Sequence, residues 1–156
     1  MIKTLFTFLL SAIFIGAHAQ DATKANQGYD AALAKKLGAD EYGMHKYIMA
    51  FLKTGPVNIT DNAQLAFIQK GHLKNIMRLA DEGKLVVAGP FMDDQPIEGI
   101  FIFNVATIEE ARALTETDPA IKAGVLAMEL RPFYCSAALQ EVAGIHKKIA
   151  KKSPAE

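Results

Sequence analysis

One histidine lies where the sequence predicts an apolar helix face. At helical spacing, His72 falls within the stripe formed by Leu65, Ile68, Ile76 and Leu79. An imidazole on a buried face needs a hydrogen-bond partner, because a buried polar group without one costs about 1–3 kcal/mol. Taken alone, such a histidine is more often a satisfied core residue than a functional one. The chemistry open to it is proton transfer, which histidine performs readily near neutral pH.

Asp118 is the residue that could give His72 a function. It precedes Pro119 at the end of the second predicted helix, and the two predicted helices are expected to pack side by side on one sheet face. A carboxylate that accepts from one ring nitrogen fixes the tautomer and leaves the other nitrogen as a proton acceptor. An Asp before Pro is also ordinary turn chemistry. The two residues therefore predict the His–Asp half of a catalytic relay.

The elements that position this pair follow the order β-α-β-β-α-β, which is the ferredoxin-like α+β arrangement. Strands are predicted at Met44–Leu52, Leu85–Phe91, Gly99–Val105 and Val125–Tyr134, and helices at Asp61–Glu82 and from Thr107 to near Asp118. Capping-box residues begin the helices, namely Asp61 with Gln64 and Thr107 with Glu110. Gly83 is expected to end the first of them.

The predicted strands carry apolar side chains on both faces. Tyr47, Met49 and Phe51 alternate with Ile48, Ala50 and Leu52, and Phe101, Phe103 and Val105 alternate with Ile100 and Ile102. A sheet with helices on one side exposes a polar second face unless something covers it. We therefore expect a homodimer in which two sheets pack face to face.

The chain begins with the pattern of a secretory signal peptide. In residues 1–19, Lys3 precedes an apolar run from Leu5 to Ile15, and Ala17-His18-Ala19 supplies small residues before a cleavage site. The run is shorter than the roughly 20 residues that a spanning helix needs. We expect cleavage after Ala19, a periplasmic or secreted protein, and no membrane attachment afterwards.

The remaining chain divides into three parts. Residues 20–43 form an N-terminal arm with a short helix at Tyr29–Leu37, and residues 44–135 form the folded domain. Residues 136–156 form a C-terminal helix at Ser136–Ala150 and a lysine-rich tail, which is expected to be solvated.

Composition excludes several classes of function. A length of 156 residues suits one domain. The 17 basic and 17 acidic residues give zero net charge, which argues against nucleic acid or an anionic membrane as a partner. The single cysteine, Cys135, excludes an internal disulfide and is expected to be a buried apolar residue. The histidines lack metal-ligand spacing, so we expect neither a metal nor another cofactor.

Five short motifs lie between Met44 and Cys135: Gly71-His72-Leu73, the run from Glu82 to Pro90, Glu109-Glu110-Ala111, Thr117-Asp118-Pro119 and Arg131-Pro132-Phe133. In these motifs the chain resembles the YCII-related (YciI-like) family of the dimeric α/β barrel superfamily, over Met44–Cys135. It implies a ferredoxin-like fold, dimerisation into an α/β barrel, and an active site at His72 and Asp118 beside a pocket that Gly89 and Pro90 help to shape. Some relatives are dehydrochlorinases of hydroxylated chloroaromatics.

The chain departs from the family at two positions. Gln69 stands where relatives often have Arg, and Phe133 stands where they often have Trp. Relatives are also usually short cytoplasmic proteins, without the leader and the terminal extensions of this chain. The missing Arg and the zero net charge favour a weakly charged ligand.

Three functions remain open from the sequence. In the first, His72 is the general base or acid of an enzyme, and Asp118 orients it toward a small cyclic or aromatic substrate in lyase, isomerase or hydrolase chemistry. In the second, a non-catalytic ligand-binding or structural dimer uses the pair as a buried clamp. In the third, His72 is the axial ligand of a haem, and added haem would give a Soret band.

Overall fold

The computed structural model describes residues 28–154, and the predicted signal peptide lies outside the described residues. The helices are α1 (Ala31–Lys36), α2 (Asn62–Asp81), α3 (Ile108–Thr115), α4 (Pro119–Lys122) and α5 (Val142–Ile149), with a 3₁₀ turn at Ala137–Glu141. The strands are β1 (Met44–Thr54), β2 (Leu85–Pro90), β3 (Ile97–Phe103) and β4 (Leu126–Ser136). Within this range, no helix combines the length and apolar character needed to cross a membrane.

The four strands form one antiparallel sheet in the order β2-β3-β1-β4. Central strand β1 pairs Ala50 with Phe101 of β3 and with Leu130 of β4. This is the ferredoxin-like strand order, so the predicted α+β fold class is confirmed.

The helix that carries His72 begins and ends where its capping residues predict. The Asp61 side chain accepts hydrogen bonds from the backbone N–H groups of Ala63 and Gln64, at 2.8 and 3.2 Å. Gly83 follows the helix at φ 68°, a conformation that glycine adopts without steric cost. Leu65 is 39% exposed, because the buried face of α2 starts one turn later, at Ile68.

The main core lies between the sheet and helices α2 and α3. Ile48, Ala50 and Leu52 of β1 pack in one cluster with Leu79 of α2 and Ala111 of α3. Burying a side chain of the size of leucine stabilises the fold by about 1.5–3 kcal/mol. This cluster fixes α2 on the sheet and so determines where His72 lies.

The second predicted helix ends just before Asp118, and a short helix follows that residue. Helix α3 ends at Thr115, and α4 begins at Pro119 with Asp118 as its capping residue. Asp118 is extended, at φ −76° and ψ 125°, because a following proline disfavours helical backbone at the residue before it. The second predicted helix therefore ends three residues before Asp118, close to where it was expected, and the short helix α4 after Asp118 was not predicted.

The second face of the sheet is partly covered by the chain itself. Leu139 in the 3₁₀ turn packs against Tyr47, Val86 and Ile102. The Tyr47 hydroxyl donates to the backbone oxygen of Ser136 at 3.1 Å. The chain's own C-terminal residues therefore cover part of the apolar second face.

The C-terminal segment folds back beside α2. The single helix predicted at Ser136–Ala150 is a 3₁₀ turn followed by the shorter α5. An ion pair of 2.6 Å joins Lys147 to Asp81 at the end of α2, and the Ser153 hydroxyl lies 3.3 Å from the Met77 sulfur. The lysines are exposed as predicted, but these contacts hold the segment against the domain.

Candidate active site

His72 and Asp118 meet between α2 and α4. Nδ1 of His72 lies 2.7 Å from Oδ2 of Asp118, and the two residues are 7% and 0% exposed. A carboxylate only accepts hydrogen bonds, so the imidazole carries its proton on Nδ1. The structure thus brings the two predicted site residues into direct contact.

Asp118 has three hydrogen-bond donors around its carboxylate. Besides His72, the backbone N–H of Ala120 lies 2.9 Å from Oδ1, and Nδ2 of Asn75 lies 3.5 Å from Oδ2. The capping of α4 and the contact with His72 therefore share one side chain. Both oxygens are engaged, which fixes the rotamer of Asp118 and the direction from which it meets His72.

Asn75 extends the polar contacts beyond the pair, and sequence reasoning missed it. It lies three residues after His72 on the same face of α2 and is buried. Its Oδ1 accepts hydrogen bonds from Arg78 at 2.8 Å and Thr117 at 3.0 Å. The sequence contained a signal for it, because Asn75 is a second polar residue on the apolar face of α2 that carries His72.

The other ring nitrogen of His72, Nε2, is not fully buried. Among residues 28–154, no buried side-chain nitrogen or oxygen lacks a hydrogen-bond partner. Nε2 has no partner among them, since the hydrogen bond of the ring runs through Nδ1. Nε2 therefore keeps some accessible surface, although the His72 side chain as a whole is only 8% exposed, and His72 lines a cleft.

The cleft has a volume of about 780 Å³ and lies between α2, the β2 edge of the sheet and the C-terminal segment. Its walls are largely apolar and include Leu73, Ile76, Val87, Ala88 and Leu126. Phe101 also lines it and stacks with the His72 ring, with centroids 5.8 Å apart and an interplanar angle of 17°. An imidazole thus stands in the wall of an apolar cleft.

The sequence model of the YCII-related domain matches residues 47–134, which is more than half of the chain. The chain belongs to the YCII-related family. The resemblance drawn from the sequence motifs is confirmed. His72 and Asp118 both lie within the matched residues, as do Gly89 and Pro90.

A solved structure similar to this YCII-related protein is 5-chloro-2-hydroxyhydroquinone dehydrochlorinase from Burkholderia phenoliruptrix AC1100, in complex with 2,5-dihydroxybenzoquinone. The two chains are 24% identical, the match covers 55% of this chain and 90% of that one, and the TM-score is 0.38. A comparison with curated proteins found no match.

The remaining predicted site residues of this YCII-related protein lie on the cleft. Gly89 and Pro90 line it at the end of β2, and Gln69 lines it one turn before His72 on α2. Position 69 therefore contributes a neutral side chain to the cleft.

Cys135 does not line the cleft. Cys135 is a half-buried thiol on β4, paired in register with His45 of β1. In the described part of the chain, no group of three or more His, Cys, Asp or Glu side chains is placed to hold a metal ion.

Proposed function

We propose that this YCII-related protein moves a proton to or from a small, partly apolar molecule bound in the cleft. His72 is the base or acid, and Asp118 orients it. The observation that carries the proposal is the asymmetry of the imidazole: Asp118 holds Nδ1 at 2.7 Å, while Nε2 has no hydrogen-bond partner among the described residues and His72 lines the cleft.

The proton transfer follows from this asymmetry. With Nδ1 bonded to Asp118, the Nε2 lone pair can accept a proton from a bound molecule. The imidazolium that forms lies beside a buried carboxylate, and this opposite charge stabilises it until the proton is returned. A positioned acid or base of this kind accelerates a reaction by about 10²–10⁴-fold.

The cleft favours a cyclic or aromatic substrate. Its volume falls in the range of about 300–1,000 Å³ that is typical of sites for small organic molecules. Phe101, which lines the cleft, and the apolar walls suit a ring, because apolar and aromatic surfaces bury well against one another.

A structural clamp is the alternative that one observation favours. Asp118 is fully buried and joins α2 to α4 through His72 and Asn75. A clamp needs only the hydrogen bond from Nδ1 of His72 to Asp118, whereas proton transfer also needs Nε2 to reach the bound molecule. Removing one partner of a buried pair costs about 3–5 kcal/mol in either case, so stability alone does not separate the two functions.

Solvent deuterium incorporation tests the proposal without requiring a known product. The protein is incubated in D₂O with a panel of cyclic ketones and hydroxylated aromatic acids, and NMR follows the loss of carbon-bound protons. We expect exchange of at least one compound, and its loss in His72→Gln. His45→Gln is the control, since His45 does not line the cleft. Equal exchange rates in the wild type and His72→Gln would leave the clamp as the better account.

We also propose a homodimer through the part of the second sheet face that the chain leaves uncovered. Met49, Phe51 and Phe133 are only half-buried there, and the Arg131 guanidinium lies 5.7 Å from the centre of the Phe51 ring. Sedimentation equilibrium should give a dimer for the wild type and a monomer for Phe133→Lys. A monomeric wild type would contradict this.

Export is the third part of the proposal, and the pattern of residues 1–19 supports it. Expression of the full chain should yield a periplasmic or secreted protein whose N-terminal residue is Gln20. A cytoplasmic protein that retains Met1 would contradict it.

A further inference from the structure

We infer that the C-terminal segment makes the cleft selective for molecules that carry a negative charge. The segment supplies four basic residues to the cleft wall, here named the basic wall: His146, Lys147, Lys151 and Lys152. This inference rests on the proposed function and defines its substrate class as an apolar ring that bears an anionic group.

Two contacts hold the basic wall close to the proposed catalytic residue. Lys147 pairs with Asp81 at the end of α2, and Ser153 contacts Met77 one turn earlier. The segment therefore runs back along α2 toward His72, which is five residues before Met77. Five residues of helix span about 7.5 Å, well within the length of a small aromatic acid and the lysine side chain that reaches it.

The basic wall carries more positive charge than the cleft carries negative charge. Among residues 28–154, three lysines and two carboxylates line the cleft; the carboxylates are Asp81, which is paired with Lys147, and Glu98, which accepts from the Thr54 hydroxyl and keeps its charge. Lys151 and Lys152 have no ion-pair partner among residues 28–154. Within this range, the two exposed ammonium groups therefore have no ion-pair partner, at a cleft that is otherwise mostly apolar.

A cation beside an apolar surface attracts an anion more strongly than one in open water, because the local dielectric constant is lower. An ammonium acts as a point charge and requires no planar, two-pronged partner. A carboxylate and a phenolate are therefore both suitable, and their shared feature is a single negative charge on a ring. The cation at this site thus comes from the C-terminal segment, while Gln69 on α2 is neutral.

This local charge changes the expectation drawn from composition. Zero net charge and the neutral Gln69 favour a weakly charged ligand. Net charge describes the whole surface, however, whereas a ligand meets the few groups that line its site. The fold places four basic residues of one short segment on this cleft.

A matched pair of probes tests the inference by binding alone. 4-Hydroxybenzoate and 4-hydroxybenzamide have the same shape and differ in charge, and isothermal titration calorimetry gives the Kd of each. We expect the benzoate to bind at least tenfold more tightly, with the preference falling as salt is added. The double variant Lys151→Gln with Lys152→Gln should reduce the preference to about twofold or less.

The control variant removes the same charge elsewhere. Lys122→Gln with Lys148→Gln changes two lysines that do not line the cleft, and it should keep the preference for the benzoate. Equal Kd values for the two probes, no binding of the benzoate, or an unchanged preference in the Lys151/Lys152 variant would each overturn the inference.

Failure of this inference differs from failure of the proposed function. His72→Gln removes the proton acceptor and leaves the basic wall intact, so it should keep the charge preference while deuterium incorporation is lost. A preference without any exchange would leave an anion-binding cleft with no proton transfer. Exchange without a preference would leave the reaction standing and remove the charge selectivity.

Discussion

Gly71 on α2 and Pro119 at the start of α4 lie in close contact. A Cβ atom at position 71 would stand 3.0 Å from Cγ and 3.3 Å from Cβ of Pro119. The chain neighbours of these two residues are His72 and Asp118, whose side chains meet at 2.7 Å. The missing side chain at Gly71 therefore lets the two helices approach closely enough for the proposed catalytic pair to form.

Gly71→Ala should lower activity while changing stability little. Alanine stabilises a helix interior by about 0.5–1 kcal/mol relative to glycine, but the methyl group must displace Pro119 by a few tenths of an ångström. Since a misplacement of about 1 Å can cost 100-fold in rate, we expect a loss of several-fold in deuterium incorporation. Thermal unfolding measures the stability of the same sample.

Gly144→Ala is the control for this substitution, because a Cβ atom there would meet nothing within 4 Å. It lies inside α5 and should raise stability by about 0.5–1 kcal/mol with full activity. Full activity in Gly71→Ala would show that the close contact does not position the pair.

Asp118→Asn should abolish proton transfer with little loss of stability. Asparagine caps a helix about as well as aspartate, so the bond from the Ala120 N–H is kept. Its side-chain amide can donate to Nδ1 of His72, which would move the ring proton to Nε2. We expect a rate loss of about 100-fold or more, measured by deuterium incorporation, with a thermal transition close to that of the wild type.

The matched control is Asp30→Asn, the same substitution at the cap of α1. Asp30 accepts from the N–H groups of Ala32 and Leu33, both at 2.9 Å, and has no histidine partner. Its activity should equal that of the wild type. Normal exchange in Asp118→Asn would mean that the carboxylate does not fix the tautomer.

Two glycines on the cleft should respond differently to alanine. At Gly99 a Cβ atom would lie 2.5 Å from the backbone oxygen of Gly89, so β2 and β3 must move apart. Overpacking of this kind costs about 1–3 kcal/mol. At Gly89 nothing lies within 4 Å of the added atom, and the free energy of unfolding in urea should change far less. Equal losses at both positions would contradict this packing.

Tyr134 should ionise at a higher pH than an ordinary tyrosine. This shift reports on the contact between Tyr134 and Asp40 of the N-terminal arm. Its hydroxyl donates to Asp40, and this hydrogen bond raises the pKa of Tyr134 to about 12, while it lowers the pKa of Asp40. Because the folded-state pKa of Tyr134 is raised, its contribution to stability is present below about pH 10 and is lost as the pH rises toward 12. For Asp40 the contribution is present above about pH 4 and is lost as the pH falls.

Ultraviolet titration of the phenols checks this, with Tyr134→Phe identifying the signal of Tyr134. In Asp40→Asn the pKa of Tyr134 should shift toward the ordinary tyrosine value of about 10. An unchanged pKa of Tyr134 in Asp40→Asn would show that the hydrogen bond between Tyr134 and Asp40 is not formed in solution.

Local signals predicted most of the fold. The caps at Asp61 and Thr107 and the glycine at position 83 mark helix ends through bonds within a few residues, so the sequence displays them. The end of the second helix near Asp118 was also encoded locally, by Pro119, whereas the short helix α4 that follows was not predicted. Leu65 was misplaced because periodicity predicts a face of a helix and not where the sheet beneath it ends.

The candidate site was predictable only in part. His72 stood out as a polar residue on an apolar stripe, and the fold class brought Asp118 to it. The cleft walls depend on contacts between distant parts of the chain, such as Lys147 with Asp81 and Ser153 with Met77. No spacing in the sequence predicts such pairs. The sequence therefore predicted only a solvated tail for the C-terminal lysines.

The tautomer of His72 tests the central claim most directly. Long-range ¹⁵N–¹H NMR correlation on the protein labelled at histidine nitrogens determines which ring nitrogen carries the proton in the neutral imidazole. We expect the proton on Nδ1 and an unprotonated Nε2 whose resonance moves when 4-hydroxybenzoate is added. Two results would contradict a proton acceptor facing the cleft. One is a neutral ring protonated on Nε2, and the other is an Nε2 resonance that stays unchanged with every compound that binds.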